Sequence, residues 1–307
     1  MSPNAASASS RLRIAVATCR VVGLRFGDGL VTSARSREAT WDLRLVIGAP
    51  AGVRRGIASQ TAVEHFRFEH GVPTIQTSDT SLASMMPILR QEQVHVLFVV
   101  GWPFRIDVSA VPVGMEVIGL HPRQLPQGRG RSPIPWTIAS GDPQTAVTAF
   151  KLTSSLDSGP VLMALPTTVG PLETSTDLLA RIEDLHESIA PLLAAGVCGD
   201  SLTASVQDER RAQYWPERGV RERLLRTSMA TTEVELVLRA QTPPFPPPIV
   251  SLNGELRPVD AKSTLRLLDA NTMPPSVSLG ANRLQPFVCE DGEMLVVVGE
   301  SSALAGA

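Results

Sequence analysis

Lysine is nearly absent from this 307-residue chain, occurring only at Lys151 and Lys262, so that arginine carries almost all the basic charge. With 28 basic against 30 acidic side chains the formal net charge is -2. Nothing in that balance draws the whole chain to nucleic acid or to an anionic membrane. Cysteine is scarce as well. Cys19, Cys198 and Cys289 stand far apart, lack metal-ligand spacing and leave an odd thiol if two pair, which argues against a disulfide scaffold or a metal motif and fits a reducing, cytoplasmic setting. No long apolar run is present: residues 1–10 are small and polar, expected as a disordered tip, and 14–22 is broken by Arg20. Neither an export signal nor a membrane span is expected. Gly27-Asp28-Gly29 reads as a turn and lacks the glycine fingerprint of a dinucleotide site, so no nucleotide cofactor is expected.

What is present is a chain with 43% hydrophobic residues, enough for at least one substantial core and about two domains by length. Residues 12–18 and 45–47 read as buried strands. Thr61 to His70 has helical spacing, with Val63, Phe66 and Phe68 available to a core and Gly71 as its stop. A strand begins at 72–75, Ser78 or Asp79 is placed to cap a helix through Leu82, Met85, Met86 and Leu89, and 95–100 is a strongly apolar strand. This strand-helix rhythm argues for a parallel sheet covered by helices. Residues 51–59, with Arg54 and Arg55, read as a mobile surface loop.

The stretch 119–160 carries the chemistry. Residues 115–120 read as a strand that Pro122 cannot continue, which puts His121 at a strand's carboxyl end, where open α/β sheets hold their ligands. Residues 145–152 alternate like a strand, and Leu156-Asp157-Ser158-Gly159-Pro160 is a turn leading to another strand at 161–165. A carboxylate beside an imidazole orients it and fixes its tautomer, so His121 and Asp157 are expected to meet at the lip of one sheet. His65, His70 and His95 have no ordered cluster of partners and read as structural or surface residues; His186, amid Glu183, Asp184 and Glu187, reads as the wet side of a helix.

Gly119-Leu120-His121, Leu125-Pro126, Arg129-Gly130-Arg131-Ser132-Pro133 and Asp157-Ser158-Gly159 follow one another in an order and spacing that resembles the core of the formyltransferases that use 10-formyltetrahydrofolate. That family includes methionyl-tRNA, sugar-nucleotide and glycinamide ribonucleotide formyltransferases. Its pattern is Asn-x-His, a Leu-Pro loop, Arg-Gly-Arg/Ala-x-Pro and Asp-x-Gly; here Gly119 stands where the family has its catalytic asparagine. The resemblance implies an α/β fold: a formyltransferase-type, Rossmann-like, mostly parallel sheet with helices on both faces, plus a small C-terminal β-rich, barrel-like domain. The corresponding division is a disordered tip at 1–10, a catalytic domain at 11–199, a linker with helices at 200–248 and the β-rich domain at 249–307.

The resemblance also implies roles. His121 would move protons, supported by Asp157; Trp102 and Phe104 would contact the folate donor or belong to the core, Arg105 would meet a folate carboxylate or only water, and Leu156 would contact the donor; Arg131 would bind an anionic part of the acceptor or shape its loop, Gln124 would face the acceptor, and Arg129 would tie its loop down. The family asparagine donates an amide hydrogen toward the developing oxyanion, which Gly119 cannot do from a side chain; loss of one such donor costs on the order of 100- to 1000-fold in rate. A main-chain N–H, a water, protonated His121 or Gln124 would have to replace it.

After the core motif Thr174 and Ser175 open an amphipathic helix with Leu178, Leu179, Ile182, Leu185, Ile189 and Leu192 on one stripe, which Pro191 should bend or end before Gly196 closes the first domain. From residue 200 onward acidic side chains outnumber basic ones, unlike a domain that handles tRNA. The expected reaction is therefore formyl transfer from 10-formyltetrahydrofolate to a primary amine of a small metabolite, amino sugar nucleotide or natural-product intermediate, without nucleic acid, membrane or metal, and with room for a homodimer. The alternatives are an altered donor or transferred group, formyltetrahydrofolate hydrolysis, and a silent ligand-binding relative.

Overall fold

The computed structural model describes residues 11–36, 39–50, 60–270 and 282–299. The expected disordered tip at 1–10 and the surface loop at 51–59 lie outside the described residues, as do parts of the C-terminal segment. Chain contacts gather the protein into two units. One takes the residues up to Pro126, Ala146–Leu165 and Ile182–Ala212; the other takes Gln127–Thr145, Pro166–Arg181 and the chain from Gln213 onward. The division is thus interleaved along the chain.

The first unit is built on β1 (Leu12–Thr18), α1 (Val21–Ala34), β2 (Trp41–Gly48), α2 (Gln60–His70), β3 (Thr74–Gln76), α3 (Leu82–Gln91), β4 (Val96–Val100) and β5 (Glu116–His121). Strands β3, β2, β1, β4 and β5 lie side by side in that order and run parallel. Beyond β5 come β7 (Gln144–Lys151), which is antiparallel to it, and β8 (Val161–Thr168). The intervening β6 (Arg129–Gly130) and α4 (Pro133–Ala139) belong to the second unit.

Alternation explains the two helical layers. Ala15, Ala17, Leu45, Ile47, Leu97 and Val99 share one buried cluster with Leu82, Met85, Met86 and Leu89 of α3. The neighbouring position Phe98 faces the opposite way, onto Phe26 of α1, with ring centroids 5.0 Å apart. Helix α3 is capped by Ser81, whose hydroxyl accepts from the Ser84 N–H, so the expected caps at Ser78 or Asp79 are corrected: the Asp79 carboxylate instead receives the Ser81 N–H. In α2, Val63 and Phe66 are buried, but Phe68 is 88% exposed and leaves the core list.

Gly27-Asp28-Gly29 is not a turn; it lies inside α1. A Cβ on Gly27 would meet the Phe66 ring at 2.8 Å, and one on Gly29 would meet the Glu187 carbonyl oxygen at 2.1 Å. These glycines serve close packing, a use that the local sequence does not distinguish from a turn. Glu187 sits in α5 (Ser175–Cys198), which continues through Pro191 and Gly196 instead of ending there. Proline at 191 has no N–H to give the Glu187 carbonyl, and that is the carbonyl Gly29 approaches. The buried stripe of α5 contains Leu178, Ile182, His186, Ile189 and Leu193, while Leu192 is exposed.

The second unit adds β9 (Tyr214–Trp215), α6 (Val220–Arg223), α7 (Thr231–Ala240), β10 (Ile249–Leu252), β11 (Glu255–Pro258), α8 (Ala261–Ala270), β12 (Arg283–Val288) and β13 (Glu293–Val298). Its C-terminal strands form two antiparallel pairs, β10 with β11 and β12 with β13. Asn253 and Gly254 join the first pair with φ of 51° and 82°, the positive values that a two-residue hairpin turn requires. Val234, Val237 and Leu238 of α7, Val250, Phe287, Met294 and Val296 share one core. Among the described residues no helix is long and apolar enough to cross a membrane, and no group of three or more His, Cys, Asp or Glu side chains is arranged to hold a metal ion.

Candidate active site

Strand β5 ends on His121, and the chain turns at Pro122. The turn is tied to β7 by Thr148, the direct cross-strand partner of His121: its hydroxyl donates to the Arg123 carbonyl at 2.7 Å and lies 3.5 Å from the Leu125 N–H. Asp157 arrives by a longer route than the sequence suggests. Because β7 is antiparallel, its carboxyl end, Lys151, lies opposite Ile118 and not opposite His121. The loop that carries Asp157 therefore starts at the end of β7 away from His121. The chain instead leaves β7, makes an excursion closed at its base by the Lys151 N–H to Pro160 carbonyl bond at 2.9 Å, and folds back to the imidazole.

The excursion brings the two groups together. His121 Nδ1 and Asp157 Oδ2 are 3.7 Å apart, with side chains 8% and 14% exposed. The separation is within ion-pair range and longer than a direct hydrogen bond; catalytic contacts often tighten only when substrate is bound. Asp157 takes φ of 50°, a left-handed conformation that Asp tolerates better than most residues. Gly159 has no alternative, since a Cβ there would lie 1.7 Å from the Lys151 carbonyl oxygen.

Gly119 is buried on β5 directly across from Phe150. A Cβ at 119 would stand 3.0 Å from the Phe150 ring and 3.1 Å from a Leu152 methyl. The place where an asparagine would begin is walled by hydrocarbon. Gln124, the side-chain substitute considered for the missing amide, is exposed.

The loop after β4 lies at the carboxyl edge of the parallel strands. Trp102 packs partly against the core, and its ring meets Phe104 at 5.8 Å and 76°. The Trp102 indole nitrogen is buried without a hydrogen-bond partner among the described residues, an unsatisfied donor of the kind that a ligand or water ordinarily answers. Arg105 donates to the Ser154 carbonyl at 3.2 Å, linking this loop to the Asp157 excursion. Leu156, next to Asp157, is 57% exposed.

Arg129 and Arg131 are in the second unit. Arg129 is fully buried, its main-chain N–H donates to the Gln213 carbonyl at 2.9 Å, and its guanidinium donates to the Tyr214 hydroxyl at 2.7 Å. Arg131 pairs with Glu217 at 3.3 Å, both about half exposed. Within the same unit the Arg218 guanidinium lies 4.4 Å above the Trp136 ring and donates to Gln241 at 2.7 Å. Burial lowers its pKa to about 10.

Two residues near the His121–Asp157 pair escape sequence reasoning. His186 is not on a wet face: it is 1% exposed, and its Nδ1 lies 2.7 Å from the Ile182 carbonyl. Burial, and then the charge of His121, lower its pKa to about 4, against the effect of the Ile182 bond. The signal was its spacing, four residues from Ile182 and three from Ile189 on the apolar stripe. Gln207 is buried in a run of exposed residues, and its amide donates to the Asp157 and Gly159 carbonyls. No sequence feature marks it.

The Formyl transferase family matches residues 19–193 of this chain. Methionyl-tRNA formyltransferase of Mycobacterium ulcerans is 31% identical over 229 residues, 73% of this chain and 71% of that protein. Among solved structures, an N-formyltransferase from Helicobacter canadensis in complex with folinic acid and dTDP-3-aminofucose superposes with a TM-score of 0.62 at 12% identity, covering 94% of this chain and 100% of the other. The sugar 3-N-formyltransferase WlaRD, solved in the presence of dTDP and 5-N-formyl-THF, gives a TM-score of 0.59 at 14% identity, with 94% and 97% coverage.

Proposed function

The chain belongs to the formyl transferase family, and from that premise we propose that it moves a formyl group from 10-formyltetrahydrofolate to a primary amine of a small metabolite, an amino sugar nucleotide or a natural-product intermediate. The observation that carries the reading is the His121–Asp157 pair, 3.7 Å apart and nearly buried. The folate would supply an activated formyl carbon. The residues at the edge fit such a molecule: Trp102 and Phe104 offer ring surface, the buried Trp102 N–H lacks an acceptor among the described residues, and exposed Leu156 offers an apolar side.

The chain's own part in the reaction is proton management and positioning. A primary amine must lose a proton as it becomes an amide, and the departing nitrogen must gain one. His121 takes and returns that proton, with Asp157 aligning the ring and compensating its positive charge. The hydrocarbon wall at Gly119 leaves the developing negative oxygen to main-chain N–H groups or to protonated His121. Arg131 is exposed enough to exchange Glu217 for an anionic group of the acceptor.

The methionyl-tRNA formyltransferases among the relatives favour a second reading, in which the amine is that of an aminoacylated tRNA. Against it stands the acidic balance of the chain beyond residue 200, since a tRNA-handling surface is ordinarily basic. Calorimetric titration with 5-formyltetrahydrofolate, followed by formyl-transfer assays on aminoacylated initiator tRNA and on a panel of amino sugar nucleotides, tests both readings. Absence of folate binding would overturn formyl transfer; turnover with the tRNA alone would overturn the small acceptor.

A further inference from the structure

We infer that Gln207 is a positioning residue for the reaction, which clamps the Asp157 excursion against His121 through its side-chain amide. This deepens the reading above and rests on it. The clamp is needed because of the sheet's mixed topology: β7 delivers the chain to the end away from His121, and the excursion that returns Asp157 is short of apolar anchors. Ser154, Ser155 and Leu156 are exposed. Among its internal ties are hydroxyl contacts, Thr153 to the Ser155 carbonyl at 3.2 Å, Thr153 with Ser158 at 3.3 Å and Ser158 to the Ser155 carbonyl at 3.3 Å. Bonds of that length in exposed or part-buried positions hold a loop weakly.

Gln207 supplies a tie from outside the loop. Its Nε2 donates to the Asp157 carbonyl at 2.9 Å and to the Gly159 carbonyl at 2.7 Å, so both hydrogens of one amide bracket the turn that aims the carboxylate. One of these carbonyls belongs to Asp157 itself, whose φ of 50° is the conformation to be held. The strap that brings the amide in is itself docked by a pair of main-chain bonds, Val161 N–H to the Ser205 carbonyl and Ser205 N–H to the Val161 carbonyl, both 2.8 Å.

The burial pattern indicates that the strap serves this contact. Residues 203–206 and 209–211 are exposed, Asp208 is half-buried, and Gln207 alone is 7% exposed. A connecting segment that buries one polar side chain, onto two carbonyls of a loop carrying a reacting-site carboxylate, is built as a support for that site. Gln207 also lies beyond residues 19–193, the span matched by the family, so part of this chain's site geometry comes from outside that span.

Gln207→Met keeps the length of the side chain and removes both donors. The expected result is a kcat lower by about ten- to a hundredfold, the scale of loss when a reacting group is misplaced by about 1 Å, with the KM of the amine within about twofold. On an Asp157→Asn background the same substitution is expected to lower kcat by less than about twofold, because a support acts only through what it holds. Equal losses on both backgrounds would overturn the inference. If Gln207→Met does not fold, Gln207→Asn, one methylene too short to bridge both carbonyls, carries the same cycle.

A readout independent of turnover separates the two proposals. In hydrogen-exchange measurements, Gln207→Met should speed exchange at the Lys151 N–H, which closes the base of the excursion, while the amides of β1 and β4 keep their wild-type rates. Unchanged exchange at Lys151 overturns the clamp even where formyl transfer is intact. A wild type without formyl transfer, but with faster exchange at Lys151 in the variant, overturns the functional reading and leaves the clamp standing.

Discussion

The acid–base pairs His121–Asp157 and Arg131–Glu217 both involve motif residues, and they are built in opposite ways. His121 and Asp157 in the first unit are 8% and 14% exposed at 3.7 Å; Arg131 and Glu217 in the second are 42% and 57% exposed at 3.3 Å. The shorter contact is the weaker constraint. An exposed pair is screened by water and salt and is worth about 0 to 1 kcal/mol, whereas removing one member of a buried pair leaves its partner's charge poorly compensated. Burial makes the first pair suited to holding a proton in a defined place. Exposure makes the second suited to exchanging one partner for another.

The largest expected effect is therefore at His121. His121→Ala should lower kcat by on the order of 100- to 10,000-fold, the range attributed to a positioned general acid–base, with 5-formyltetrahydrofolate still bound in calorimetry. A variant retaining more than about a tenth of wild-type kcat would mean that the buried pair is structural, and the contrast between the two pairs would fall with it.

His186 sharpens the contrast from behind the site. Its pKa is lowered to about 4, chiefly by burial, while in the unfolded chain it takes the ordinary value near 6.5. Between those values the unfolded state binds more protons, so stability rises with pH across that window and is lost as pH falls through it. The shift corresponds to roughly 3 kcal/mol at full extent. Denaturant unfolding of the wild type and of His186→Gln between pH 4 and 7 should show a weaker pH dependence in the variant. Parallel curves would sink the assignment.

Gly119→Asn probes the wall of the buried site. The new Cβ would sit 3.0 Å from the Phe150 ring and 3.1 Å from Leu152, so the neighbours must give by a few tenths of an ångström. Overpacking of this kind typically costs 1–3 kcal/mol. The expected outcome is a lower Tm without the 100- to 1000-fold gain in kcat that a working amide donor would bring. A large gain would show that Phe150 and Leu152 yield easily and that the absent amide alone limits the reaction.

The His121–Asp157 pair was legible because residue type and turn punctuation coincide at His121-Pro122 and at Asp157-Ser158-Gly159. The parallel part of the sheet was legible because strands such as β4 are buried throughout. The direction of β7 was not, since an alternating strand reads alike in either direction. The glycines of α1 were misread because crowding by Phe66 and the Glu187 carbonyl is a property of the packed molecule. Gln207 left no trace, as one glutamine in a polar run acquires meaning only from the carbonyls that it meets.

The smallest expected effect belongs to the exposed pair. Arg131→Ala removes a guanidinium that is 42% exposed and paired with an equally wet carboxylate, so stability should change by no more than about 0.5 kcal/mol, as for ordinary surface substitutions. What should change is recognition: the KM of an anionic acceptor rises several-fold while kcat at saturation stays within about twofold, the pattern of an interaction made equally before and during reaction. Raising the salt concentration should mimic the substitution in the wild type and do little in the variant. A fall in kcat with KM unchanged would place Arg131 among the groups that act on the reacting atoms, and would erase the division of labour between the two pairs.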